Sequence, residues 1–221
     1  MPVSAPHIVP PCQEDLALIY RDNWLLVINK PEPMLSTPGR LPENRDSAIG
    51  RLQLDYPSAS LVHRLDMATS GLMVIALSKP VHRHLSMQFQ QRQVTKSYQA
   101  IVQGQPTQDS GEISLPLITD WEHRPRQKVC FASGKPSLTR YQVLERLPDG
   151  NSRVRFMPVT GRSHQLRVHS CEIGHPILGC QLYYQGDSQR QSHRLMLHAE
   201  TLGFYHPQHQ GWMSFRSPVP F

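Results

Sequence analysis

The chain has 221 residues, 38% of them hydrophobic and 18% charged, which is enough apolar material to build a core within one domain and too little charge for a disordered chain. Its net charge is +6, and only five of its 23 cationic residues are lysines. That balance excludes an acidic, solvating protein and suits a polyanionic partner, nucleic acid ahead of an anionic membrane surface, because the planar guanidinium binds phosphate and stacks on bases.

The opening segment MPVSAPHIVPPCQEDL has no cationic start and no apolar core, so no secretory signal is expected. No run reaches the roughly 18 apolar residues of a membrane span. A cytoplasmic location follows as the expectation. The four cysteines, Cys12, Cys130, Cys171 and Cys180, include no CxxC pair and are expected to be reduced thiols. The best metal candidate, His169-x-Cys171-x3-His175-x4-Cys180, matches no zinc spacing, so no metal is expected.

Residues 1–15 are Pro-rich and unpatterned and are expected to form a flexible arm. Leu16–Tyr20 and Trp24–Ile28 read as strands around a turn at Arg21-Asp22-Asn23. Four prolines make 30–45 a loop. Asp46 is the expected N-cap of a helix through Ile49, Leu52 and Leu54, ended by Pro57. After a loop at 62–71, the apolar run Leu72–Leu77 predicts a buried central strand, and Ser78 with Pro80 opens a helix to about Gln91.

Strands are expected at 96–103, 138–144 and 153–157, with an inserted lobe in the Pro- and Gly-rich stretch 104–136. Ser163 is the expected cap of a helix through Leu166, Ser170 and Ile173, stopped by Gly174 and Pro176. Short strands near 194–200 and 211–215 close the chain. Strands outnumber helices and do not alternate with them. The expectation is an α+β fold whose sheet is mixed, mostly antiparallel and flanked by helices, filling residues 16–221.

Three segments carry the chemistry. The first is His63-Arg64-Leu65-Asp66-Met67-Ala68-Thr69-Ser70-Gly71, directly before the buried strand. It puts one carboxylate beside one arginine on a loop held by a rigid element. Turn-capping is the competing use for such an aspartate. The second is Thr160-Gly161-Arg162-Ser163-His164-Gln165-Leu166-Arg167-Val168-His169, where a glycine leads into a helix start and could meet a phosphate. Arg162 precedes the cap, while Arg167 lies on another face and could point inward. Two surface arginines on an ordinary helix are the alternative. The third is Lys96-Ser97-Tyr98, where strand alternation sends Lys96 and Tyr98 to one face. A plain cross-strand tyrosine is the commoner use.

Together with Asn29-Lys30-Pro31, His175-Pro176-Ile177-Leu178-Gly179 and the LMLHA run at 195–199, these motifs resemble the RluA-type pseudouridine synthases in order and spacing. The resemblance runs from about Leu18 onward. The stretch DWEHRPRQKVC (120–130), with GKP at 134–136, is similar to the dual-specificity members, which act on 23S ribosomal RNA and on the tRNA anticodon stem-loop. It implies a pseudouridine synthase catalytic domain without the S4-type RNA-binding domain of some relatives. The chain departs from the family at Pro33 and Cys180, where glycine and aspartate are usual.

The resemblance implies that Asp66 is the catalytic carboxylate, that Arg167 pairs with it, and that Tyr98 stacks on the flipped base. Arg64, His63, Lys96 and Arg162 would contact RNA. The implied partner is structured RNA and the implied protein a monomer with no cofactor and no membrane. A count of acids agrees with isomerisation. Glycosidic hydrolysis usually employs two carboxyl groups, and the three motifs hold only Asp66. The rival readings are a non-catalytic RNA-binding or ribosome-assembly protein on the same fold, and a glycosylase that releases uracil.

Overall fold

The computed structural model describes residues 8–183 and 192–221, and within these the chain forms twelve strands and three α-helices. Every described strand register is antiparallel, so the α+β expectation holds. The chain divides into two compact units, Met1–Gln91 with Tyr205–Gly211 and Arg92–Phe204 with Trp212–Phe221.

In the first unit β1 (Ala17–Arg21) and β2 (Leu25–Lys30) form the expected hairpin. Asp22 makes its turn, since Oδ1 accepts the N–H groups of Trp24 at 2.7 Å and Leu25 at 2.8 Å, the local bonding that makes aspartate a turn residue. β3 (Ser60–Leu61) and β2 both pair with β4 (Ser70–Ala76), every residue of which is buried. The continuous apolar run is thus a central strand, as its composition predicts.

Helix α1 (Ala48–Asp55) is capped by Ser47, not by Asp46 as its sequence suggested. Ser47 has the extended backbone of a cap and its Oγ accepts the N–H of Gly50, while Asp46 holds Arg51 through two bonds of 2.7 Å. Arg51 also donates to the carbonyls of Cys12 and Glu14, and the Val9 N–H reaches Asn44 Oδ1. The described part of the Pro-rich arm therefore lacks regular structure yet is fastened by side chains. Helix α2 (Lys79–Gln90) starts after Ser78 with proline in its first turn, and it buries Val81, Leu85 and Gln88.

In the second unit the strand order is β11-β5-β10-β9-β6, with β12 against β11. The ranges are β5 (Thr95–Val102), β6 (Ser110–Ser114), β9 (Leu138–Arg146), β10 (Ser152–Pro158), β11 (Leu197–Tyr205) and β12 (Trp212–Arg216). The stretch expected as an inserted lobe is divided. β6 joins the main sheet beside β9, and only β7 (Leu117–Thr119) and β8 (Gln127–Val129) stand apart as a two-stranded hairpin.

Helix α3 (Gln165–Glu172) begins one residue later than expected. Its N-cap is His164, not Ser163, in the left-handed conformation (φ 54°, ψ 16°) and without a side-chain cap bond. Gln165 organises the lead-in instead, its Oε1 accepting Thr160 Oγ1 at 2.7 Å and the Arg162 N–H at 3.0 Å. At the other end Gly174 (φ +81°) lets its own N–H reach Cys171 O and that of His175 reach Ser170 O. Those paired bonds close a helix on a left-handed glycine.

On the second unit's sheet, His198 of β11 is buried, and its pKa is lowered to about 4 by that burial and then by the nearby Arg194 charge, against the opposing pull of Glu200. A histidine in the unfolded chain takes its proton near pH 6.5. Between those values protonation favours the unfolded chain. Stability is therefore full above pH 6.5 and falls as pH drops through 6.5 toward 4. An NMR titration should place the His198 midpoint near 4; a midpoint at the ordinary value would contradict this.

Candidate active site

Asp66 sits between two clamped residues of the first unit. On one side the buried Ser36 hydroxyl donates to Leu65 O at 2.7 Å and accepts the Leu65 N–H at 3.1 Å, so one side chain holds both main-chain groups. On the other side Met67 O accepts from the Met34 N–H at 3.2 Å and from Lys30 Nζ at 3.1 Å. The Thr69 N–H then closes a turn onto Asp66 O at 3.0 Å. Gly71 follows with φ +120°, a backbone conformation L side chains rarely adopt. A half-buried carboxylate is thereby carried on a loop whose path is set by its neighbours.

Lys30 is fully buried, and Nζ also donates to Pro31 O and Met34 O, each at 2.8 Å. A buried ammonium is tolerated only with such satisfaction. The Asn29-Lys30-Pro31 motif thus acts as a brace for the Asp66 loop. Lys30→Met leaves three main-chain carbonyls without that donor, and should lower unfolding free energy by about 2 kcal/mol. Urea unfolding of the variant measures it, and an unchanged midpoint would show that the brace is dispensable.

Arg64 is exposed. His63 is also engaged within its own unit. Its Nε2 accepts the Val74 N–H at 3.0 Å and its ring stacks on Phe89 at 4.6 Å, so it locks the loop onto β4 and α2.

The second unit brings together the other two motifs. Lys96 and Tyr98 are half-buried on one face of β5, with Ser97 and Gln99 buried on the other, as alternation predicts. Burial lowers the Lys96 pKa below its usual value, and Nζ lies so near Gly161 that a Cβ there would be 3.3 Å away. Lys96 therefore stands at the glycine that leads into α3. Arg162 is exposed beside it in sequence, with its guanidinium 3.4 Å from Pro136 O.

Arg167 is buried, on a different face from Arg162 as its position in the helix predicts. Its Nε donates to Cys180 Sγ at 3.4 Å, and its guanidinium lies 5.4 Å from the Tyr183 ring centroid. Tyr183 is the residue the sequence reading missed. Its hydroxyl meets His164 Nδ1 and accepts the Gln127 N–H at 3.0 Å, linking the start of α3 to β8. Tyr183 lies four residues after the recognised HPILG run, and no spacing rule connects it to Arg167. His169, expected neither as site nor as core, is fully buried between Thr139 and Leu115 O, and burial lowers its pKa.

The arginines sort by whether an acid answers them. Arg140 meets Glu112, Arg146 meets Asp109, Arg153 meets Glu145, and Arg155 and Arg216 both meet Glu200. Such pairs add little stability when exposed, but they remove those charges from the net excess. Arg64 and Arg162 are not among the described ion pairs.

Comparison with known proteins gives the family. Residues 24–171 match the family model for RNA pseudouridylate synthase. The chain is 49% identical over 212 residues to the dual-specificity RNA pseudouridine synthase RluA of Escherichia coli (strain K12), covering 96% of this chain and 97% of that one. It is 50% identical to the RluA of Pasteurella multocida (strain Pm70) with the same coverage. Among solved structures, human RNA pseudouridylate synthase domain containing 1 aligns with a TM-score of 0.79 at 32% identity, over 96% of this chain and 86% of that one. The class defined is that of the RNA pseudouridylate synthases, and within it the chain belongs to the RluA family.

Proposed function

We propose that this chain isomerises specific uridines to pseudouridine in structured RNA, and that its targets lie in both 23S ribosomal RNA and the tRNA anticodon stem-loop. The reaction rests on membership of the family, and the dual specificity on the near-full-length similarity to relatives named dual-specificity synthases. The single observation that carries the site is the double clamp on Leu65 and Met67, which presents one carboxylate on a fixed loop.

In the reaction the N1–C1′ bond of uridine breaks, the uracil turns, and C5 bonds to C1′; the proton on C5 is lost and N1 ends protonated. Asp66 either attacks C1′ or takes the C2′ proton. Arg167 keeps that carboxylate ionised and aimed, and Tyr98 stacks on the flipped base and assists loss of the C5 proton. These three roles come from the family resemblance. Extruding the uridine costs a few kcal/mol, least in a loop, and phosphate contacts from Arg162 and Lys96 offset it. Arg64 fills the vacated space or holds a neighbouring phosphate. The catalytic domain occupies 16–221 and works as a cytoplasmic monomer, without metal or cofactor; among the described residues no helix is long and apolar enough to cross a membrane.

The test is to incubate the protein with tRNA and with 23S RNA and map pseudouridines in each. Modification of one RNA alone would overturn the dual assignment. Release of free uracil would turn the reading toward a glycosylase.

A further inference from the structure

The hairpin β7–β8 has features that its own stability does not require. Trp121, in its connecting turn, is 68% exposed, and Phe131, just past β8, is 78% exposed. Aromatic rings of this size normally contribute by burial. The Trp121 ring is met by a cation, with Arg124 Cζ 4.8 Å from its centroid.

The turn that displays Trp121 is braced from within. The His123 N–H bonds Asp120 O, the Arg126 N–H bonds His123 O, and the Asp120 N–H bonds Arg126 O, at 3.0–3.2 Å. The Asp120 carboxylate is occupied by Lys128 at 3.1 Å and His123 at 2.9 Å, and those contacts hold it ionised below the usual carboxylate range. Arg124 and Arg126 meet no acid among the described ion pairs, and with Lys128 they outnumber the turn's two acids, Asp120 and Glu122, so the hairpin carries a small excess of positive charge beside its rings. The hairpin is also anchored, because the Gln127 N–H donates to Tyr183, whose ring lies against Arg167.

We propose that Trp121, backed by Arg124, is a stacking platform for an unpaired nucleotide of the substrate RNA. Phe131 offers a second, weaker face. The occupant is single-stranded RNA because the two features coincide. A π face backed by a cation accepts any base, and the surrounding charge suits a phosphate backbone. A hairpin of this kind grips the loop flanking the target uridine while Tyr183 keeps its base registered to α3. This deepens the proposed RNA-modifying reading and rests on it.

The experiment is binding of an anticodon stem-loop RNA to the full chain and to four variants, by fluorescence anisotropy, with pseudouridine formation scored in parallel. Trp121→Leu should lose about 10-fold or more in affinity. Trp121→Phe, which keeps a π face, should recover most of it, and Arg124→Ala should fall between. Leu54→Ala, which removes an even more exposed apolar side chain on α1, should bind like the parent. Equal affinity of Trp121→Leu and the parent overturns the platform while pseudouridine formation continues. Loss of affinity to the same extent in Leu and Phe variants overturns it as well, since the ring would not matter. A parent chain that binds the stem-loop yet forms no pseudouridine in any RNA overturns the proposed function and leaves the platform standing.

Discussion

Asp66→Asn should reduce pseudouridine formation by at least about 10³-fold, which corresponds to roughly 4 kcal/mol of lost transition-state stabilisation. The amide keeps the shape and removes both the negative charge and the basicity that either reaction route needs. The fold should survive. The path of the loop is carried by Ser36, Lys30 and Met34 acting on Leu65 and Met67, and by the main-chain bond between Asp66 O and the Thr69 N–H. Single-turnover assays on a stem-loop RNA, with circular dichroism and urea unfolding of the same preparation, separate the two effects. Turnover at the parent rate would remove Asp66 from the mechanism. A variant that unfolds at much lower urea would return it to the turn-capping role that the residue type also permits.

Much of the architecture was legible because it depends on local rules. The buried β4 follows from an unbroken apolar run, the α3 stop from a glycine that adopts positive φ, and the shared face of Lys96 and Tyr98 from strand alternation. The errors arose where two side chains compete for one local job. Asp46 and Ser47 are both good caps, and the choice falls to Ser47 because Arg51 claims Asp46. Ser163 is a better cap by type than His164, but Gln165 already satisfies the Arg162 N–H, and the helix starts after a left-handed residue instead.

The site was legible as motifs and not as a network. Asp66 and Arg167 stand in long, specific motifs, whereas the groups that hold them are scattered: Ser36 and Lys30 for the loop, Cys180 and Tyr183 for the arginine. Ser36, Cys180 and Tyr183 are ordinary residues in their own stretches, and their roles depend on contacts that span 13 to 37 residues or more. His63 shows the converse. A motif position invites an RNA-contact role, yet its ring is engaged by Val74 and Phe89. Cys180, noted in the sequence as a departure from the family's aspartate, proves to be the acceptor for Arg167 Nε.

Binding and chemistry should separate between the two arginines of the GRSHQLRVH motif. Arg167→Lys keeps the charge but loses the planar fork that meets Cys180 and lies against Tyr183. The ammonium has one point of attachment where the guanidinium has several, so under the role that the family resemblance assigns to Arg167 its charge would be misplaced by about an ångström. A misplacement of that size costs about 10²-fold in the chemical step. The single-turnover rate at saturating RNA should fall by about that factor, with affinity nearly unchanged. Arg162→Ala should do the reverse. Among the described residues its exposed guanidinium makes long contacts to Pro136 O, so its loss should weaken RNA affinity and flatten the salt dependence by about one unit of slope. Single-turnover kinetics and a binding series across salt, run on both variants with one stem-loop, test the pair together. If Arg167→Lys reacts at the parent rate once RNA saturates, the assignment of Arg167 to Asp66 fails. If Arg162→Ala keeps both affinity and slope, no phosphate sits at the lead-in to α3.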